Sequence, residues 1–249
     1  MLLGLPGLPI VQPGDDLTVL ITEALDRAGL ALREGDGLAV TSKIVSKAEG
    51  RFVALAAVTP GDEALRLAAI TGKDPRMVEL VLRESVDVVR AAPNVLIVRH
   101  RLGFVSASAG IDQSNVDGGE GVALLLPEDP DASAWRLREQ IGQRTGIRPA
   151  MVISDSHGRP FRLGNVGVAV GAAGLPALRD LRGQPDLFGR LLKISLQGLA
   201  DEIASAANLI SGEGDEGLPV VLLRGLRFEP SEGRAADLLR PPEQDLFRN

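Results

Sequence analysis

Two lysines and three carboxylates carry most of the chemistry that this sequence can offer. Of the 27 basic residues only four are lysines: Lys43, Lys47, Lys73 and Lys193. Arginine serves most surface roles, so Lys43 and Lys47, within five residues of each other, suggest compact point charges of the kind that meet phosphate. Chance clustering is the alternative. Asp155 follows the apolar run 150–154 and opens Asp155-Ser156-His157-Gly158-Arg159-Pro160. It reads either as a metal ligand with the Ser156 hydroxyl or as an Asx-turn at a strand end. A phosphorylated aspartate of the haloacid-dehalogenase type would want a second carboxylate at position 157, which is His. Asp112 lies in Gly110-Ile111-Asp112-Gln113-Ser114-Asn115, and alone it reads as a turn former or a ligand. The EF-hand spacing fails at Val116.

Should Asp112 and Asp155 meet in space, two carboxylates ~4 Å apart would repel by about 4 kcal/mol at an effective dielectric of 20. Such a pair needs a shared proton or a divalent cation. With Glu213 it would form an all-oxygen site suited to Mg²⁺ or Mn²⁺. Arg159 and Arg162 flank Pro160; beside acidic ligands they could spread transition-state charge, and they could equally be surface arginines. His157 reads as a general acid or base or as a solvated loop residue. His100 reads as structural.

The glycine pattern Gly212, Gly214, Gly217 matches G-x-G-x-x-G literally, but it follows a predicted helix and precedes a strand, the reverse of a dinucleotide fold. Its backbone N–H groups could still cradle phosphate; a helix cap followed by a turn is the alternative. No Walker A pattern occurs.

The elements that must position these residues follow from periodicity and punctuation. Asp15 and Asp16 cap a helix from Leu17 that ends at Gly29, and residues 38–40 form a buried strand that delivers residues 41–47 at its end. Helices are predicted over 59–69, 74–84, 132–144 and 190–210; strands over 86–91, 95–100, 104–109, 122–126, 150–154 and 219–223. Residues 166–173 are small and apolar, 110–121 read as a loop, and the chain beyond Gly225 reads as a surface tail with one short helix. Strands and helices mix without regular βαβ alternation, so the predicted class is α+β.

Composition narrows the field. The 249 residues are 45% hydrophobic and 24% charged, enough to bury a core and against disorder or a coiled coil. There is no cysteine and there are two histidines, so thiol catalysis, Cys-ligated zinc and a His-rich metal site are excluded. The net charge of −6 argues against a nucleic-acid or anionic-membrane surface. The apolar start carries Pro6 and Pro9 and no basic segment, unlike a signal peptide; a cytoplasmic protein is expected.

Six blocks in order then resemble one family, the coenzyme F420-0:L-glutamate ligases, or F420 gamma-glutamyl ligases. They are Gly7-Leu8-Pro9-Ile10 with Pro13-Gly14-Asp15-Asp16, the run Thr41 to Arg51, Gly110 to Val116, Ser154 to Pro160, Ala200 to Ala207, and Gly217-Leu218-Pro219-Val220. The similarity spans roughly residues 4–226 and marks 1–226 as one ligase domain with a polar tail over 227–249. It implies a family-specific α+β fold, neither Rossmann nor P-loop. It also implies a GTP-dependent ligase of coenzyme F420 biosynthesis. Glutamate joins the lactyl carboxylate of F420-0 through an acyl phosphate, and further glutamates are added in γ-linkage.

Carried over by position, GTP would meet Leu8, Pro9, Ile10, Val11, Ser42, Lys43, Lys47 and Asn115. It would also meet Ser211, Gly212, Glu213, Gly214, Asp215, Glu216, Gly217 and Leu218. Asp112, Asp155, Ser156 and Glu213 would hold Mg²⁺ or Mn²⁺, with a monovalent cation such as K⁺ as a further candidate. Asp112, Asp155, Lys47 and Arg159 would be the catalytic set. A homodimer is implied, with F420-0, GTP and L-glutamate as its small-molecule partners, and flavin chemistry is not expected. Two departures stand out: Ser154-Asp155-Ser156 replaces the usual Thr-Asp-Thr or Thr-Asp-Ser, and Glu213 stands where Gln is frequent. A metal-dependent phosphatase or phosphotransferase and a non-catalytic nucleotide-binding relative are the competing readings.

Overall fold

Asp16 accepts hydrogen bonds from the Thr18 and Val19 N–H groups, so α1 (Leu17–Arg27) starts where the sequence predicts. The computed structural model describes residues 1–116 and 119–245; residues 117–118 of the predicted loop and 246–249 of the tail lie outside it. Before α1 comes β1 (Leu2–Gly4). After it come β2 (Gly37–Thr41), α2 (Ser42–Ala48), β3 (Phe52–Ala54), α3 (Asp62–Thr71) and α4 (Pro75–Arg83). Then follow β4 (Ser85–Ala92), β5 (Val95–His100), β6 (Val105–Ala107), β7 (Val122–Leu124) and α5 (Pro130–Thr145). The chain closes with β8 (Ala150–Arg159), β9 (Arg162–Ala173), β10 (Arg179–Asp180), β11 (Leu196–Gln197), α6 (Leu199–Ser211) and β12 (Val220–Leu223).

The main sheet runs β1-β12-β2-β8-β9, and only β2 and β8 are parallel. Alternation along its strands divides two cores. Leu38, Val40, Met151 and Ile153 pack toward α1 and α5, while Ala39, Ala150, Val152 and Val221 pack under α6. Two glycines of β9 allow close approach: a Cβ at Gly171 would strike the Pro130 carbonyl, and one at Gly167 the Ala204 carbonyl. A second lobe is built from α3, α4 and the antiparallel β4-β5-β6 sheet, with its own core of Leu67, Val78, Val81, Leu96 and Val98. Strands β3 and β7 join the lobes. The architecture is α+β with a mixed sheet, neither Rossmann nor P-loop. No helix among the described residues is long and apolar enough to cross a membrane.

The segment 41–47, which the sequence places at the end of the strand 38–40, forms the last residue of β2 and the helix α2. Two local expectations change. Residues 155–159 are not a loop: they continue β8 and pair with β9, because ladder hydrogen bonds satisfy a polar strand as well as an apolar one. The predicted helix 190–210 begins only at Leu199. Its apolar residues Leu191 and Ile194 are exposed, and Asp186 holds the Phe188 and Arg190 N–H groups in a turn before β11. Beyond Gly225 the chain forms two 3₁₀ turns, Ala235–Leu238 and Pro242–Gln244, and Ala235 is buried in the core under α6.

Candidate active site

Thr41 and Ser154 are the last register partners of the parallel pair β2 and β8, at the carboxyl end of β2. The crevice beyond such ends is where open sheets bind ligands. Three segments close around it: α2, the loop 110–116, and the glycine loop after α6. They enclose a cavity of about 380 Å³.

Helix α2 starts directly at the end of β2, and the spacing of four puts Lys43 and Lys47 on one face of it. Lys43 Nζ lies 2.6 Å from Asp112 Oδ2 and donates to the Ser114 carbonyl at 3.0 Å. Lys47, only 8% exposed, donates to the Asn115 carbonyl at 2.7 Å. Asn115 in turn donates its side-chain amide to the Gly214 carbonyl at 3.1 Å, tying the two loops together. Asp112 accepts the Ser114 N–H and hydroxyl at 2.7 Å each, so its turn-forming role and its place on the cleft wall coexist. Burial raises the Asp112 carboxyl, but hydrogen bonds from Lys43 and Ser114 outweigh it and hold the group below its usual range.

Asp155 sits on the strand between two donors. Ser42 Oγ donates to Oδ1 at 2.8 Å, and His157 Nε2 lies 3.0 Å from Oδ2. The loop 110–116 passes so close that a Cβ on Gly110, whose φ is +63°, would lie 3.3 Å from Asp155 Oδ2. Glu213 reaches the same wall. It accepts the Ser156 hydroxyl at 2.6 Å and the Asn208 amide at 2.9 Å. Gly212 ends α6 with φ +68° and donates its N–H to the Asn208 carbonyl. The helix cap and the start of the glycine loop are therefore one structure.

The cleft thus gathers Ser42, Lys43, Lys47, Asp112, Asn115, Asp155, Ser156, Ser211, Gly212, Glu213, Gly214, Asp215, Gly217 and Leu218. Other predicted residues lie apart. Leu8, Pro9, Ile10 and Val11 join β1 to α1 and do not line this cavity; Val11 is buried in the core and Ile10 is exposed. Glu216 folds back to accept the Gly214 N–H. Arg159 stands at the tip of the β8–β9 hairpin, outside the cavity lining. Asn208, Ser114 and Pro219 line the cleft without having been singled out. Asn208 is one helical turn before Ser211, a signal available only once α6 is known to end there.

His157 is not a solvated loop residue. It is 8% exposed, on β8, with its ring 5.0 Å from Phe104, which stacks on His100 at 4.9 Å. His100 Nδ1 accepts the Leu102 N–H, in keeping with a structural role. Among the described residues no three acidic or histidine side chains converge as they stand on one metal position.

The family model for F420-0:gamma-glutamyl ligase matches residues 7–225 of this chain. The chain is 46% identical to the coenzyme F420:L-glutamate ligase of Methanothermobacter thermautotrophicus, covering 99% of this chain and 98% of that one. It is 48% identical to the ligase of that name from Methanopyrus kandleri, over 96% of this chain and 93% of the relative. Against the one from Methanocaldococcus jannaschii it is 42% identical, over 97% and 94%.

Proposed function

Because the chain belongs to the F420-0:gamma-glutamyl ligase family, we propose that it joins L-glutamate to the lactyl carboxylate of coenzyme F420-0 with GTP as co-substrate, and adds further glutamates in γ-linkage. One observation carries the nucleotide part of this reading: two lysines of α2, three carboxylates from separate segments and a glycine loop line one cavity where the parallel pairing of β2 with β8 ends.

The charge balance supports a metal–nucleotide complex over a bare nucleotide. Lys43 and Lys47 face Asp112, Asp155, Glu213 and Asp215, so the lining alone is net negative. A polyphosphate would be repelled unless a cation shared the cleft. Asp112, Asp155, Ser156 and Glu213 offer only hard oxygen donors, which fit Mg²⁺ or Mn²⁺. When bound, such an ion neutralises charge on the transferring phosphoryl group. The partners that these carboxylates now use are exchangeable: a lysine on Asp112, a serine and a histidine on Asp155, a serine and an amide on Glu213.

The chain's own residues then have distinct tasks. Lys43, released from Asp112, turns its ammonium to the phosphates. Lys47 is held by Asn115 at the junction of the two loops and meets the same anion. Backbone N–H groups of the loop 211–218 surround the polyphosphate. An oxygen of the acceptor carboxylate attacks the terminal phosphorus and GDP leaves. The glutamate nitrogen then attacks the acyl carbon, the carbon–oxygen bond to phosphate breaks, and the nitrogen gives up a proton.

A homodimer belongs to the same reading. Leu187, Phe188, Leu191 and Ile194 are more than half exposed on the arm between β10 and β11, a patch suited to a second copy.

Mass spectrometry of F420-0 incubated with the protein, GTP, Mn²⁺ and L-glutamate tests the proposal, with ATP and glutamate-free controls. A GTP-dependent gain of one or more glutamyl units is expected. Phosphate release that ignores glutamate would instead mark a phosphatase. Neither signal would leave a nucleotide-binding relative without the ligase activity.

A further inference from the structure

The block Ala200 to Ala207 contributes to the family resemblance, yet none of its residues lines the nucleotide cleft. Its task follows from what it presses against. Ser156 of β8 pairs across the ladder with Gly167 of β9. Gly167 has no side chain, so α6 comes down onto β9 at that point: a Cβ there would strike the Ala204 carbonyl and lie 3.1 Å from the Asn208 Cβ. Ser205 Oγ closes the contact by donating to the Gly167 carbonyl at 2.6 Å. Ala204 and Asn208, four residues apart, share one face of α6. The pinned helix therefore sets Asn208 beside Ser156.

From there Asn208 holds the cleft wall at three atoms. Its side-chain amide donates to Glu213 Oε1 at 2.9 Å. Its side-chain carbonyl lies 3.4 Å from Ser156 Oγ. Its main-chain carbonyl accepts the Gly212 N–H at 3.0 Å, which fixes the turn just before Glu213. A carboxylate only accepts hydrogen bonds, so both groups that hold Glu213 must donate, and an amide and a hydroxyl do. Both donate to Oε1, the hydroxyl of Ser156 at 2.6 Å. Among the described residues Oε2 has no hydrogen-bond partner, so Glu213 can take a cation there while it keeps the Asn208 amide. Ser156, which gives its single proton to this pair, keeps lone pairs for the same ion.

We infer that Asn208 is the positioning residue of the metal site: it holds Glu213 by Oε1 and so presents Oε2 as a ligand, and the clamp of α6 on Gly167 fixes Asn208 in turn. The inference rests on the metal–nucleotide reading above. Asn208 acts through Glu213 and is not itself a ligand.

Mn²⁺ uptake by the full chain, saturated with GDP and followed by the electron paramagnetic resonance signal of the free aqua ion, tests this without turnover. Asn208→Ala removes the amide and, as a better helix former, should leave α6 intact. Asn208→Leu removes the amide while filling a similar volume. Each should weaken Mn²⁺ binding about tenfold or more, as expected for a group that orients a metal ligand. Glu213→Ala supplies the second background. There Asn208→Ala should cost less than about twofold further, because a residue that acts through Glu213 has nothing left to hold. A residue that only supports the helix would weaken binding by the same factor in both backgrounds. That result would overturn the inference, as would wild-type Mn²⁺ affinity in both Asn208 variants, and either would leave the metal reading standing. A wild-type chain that takes up no Mn²⁺ would remove the metal reading and this inference with it.

Discussion

At the scale of the residue, the cleft is a set of charges that hold one another. Asp112 is the clearest case, since the same carboxylate that Lys43 neutralises is a proposed metal ligand. Asp112→Asn and Asp155→Asn should each lower kcat by at least a hundredfold, with thermal midpoints near wild type, because each removes a ligand charge but keeps its shape. Full turnover in either variant would remove the metal assignment. Lys47→Met tests the other sign. It deletes the ammonium while keeping an unbranched stem, so GTP affinity, read by calorimetry, should fall about tenfold or more.

At the scale of the element, position is set by where helices meet the sheet. Helix α6 presses on β9 at Gly167, and the loop that carries Glu213 begins where this helix ends. Gly167→Val should push α6 away from the sheet. Overpacking of this kind costs about 1–3 kcal/mol, a fall of several degrees in Tm for a chain of this size. The test is coupling: nucleotide affinity should fall together with Tm, whereas a merely local defect would move Tm alone. Helix α2 shows the same dependence from the other side. It is short and lacks a side-chain cap, so its direction comes from the strand before it and the packing of Ile44 and Val45.

At the scale of the whole molecule, a polar cluster on Glu84 ties α4 to the segments that carry Arg51 and Arg101. Glu84, at the end of α4, meets Arg51 at 3.3 Å and Arg101 at 3.0 Å, with the His100 ring 3.6 Å away. Burial raises this carboxyl, but the His100, Arg101 and Arg51 groups outweigh it and bring it from 4.5 to about 2. A depressed carboxyl stabilises the fold above its unfolded pKa and loses that contribution as pH falls from about 4.5 toward 2. On the order of 3 kcal/mol is at stake. Urea midpoints followed from pH 5 to 2 should therefore drop steeply in wild type and less so in Glu84→Gln, which should already be weaker at pH 7. The exposed arm belongs to this scale too. Sedimentation should show a dimer, and Phe188→Asp should yield a monomer; a wild-type monomer would end the homodimer proposal.

Much of this was legible in the chain before folding. The α1 boundary could be read because its cap and apolar stripe are local, and the oxygen-only character of any metal site follows from the lack of cysteine and the two histidines. The blocks around Lys43, Asp112, Asp155 and Glu213 could be read as candidates because residue type and order survive without coordinates. Their meeting could not be read, since it depends on the parallel register of Thr41 with Ser154 and on a loop passing over Asp155 at Gly110. The polar stretch after Ser154 resembled a loop because strand pairing is a contact with a distant partner, here β9. Residues 190–198 resembled a helix because an apolar rhythm does not say whether its apolar face will find a core. His157 is the sharpest instance. The sequence alone made it a histidine of open role, and only the tertiary structure, by burying it against Asp155 and Phe104, decided which groups it can touch.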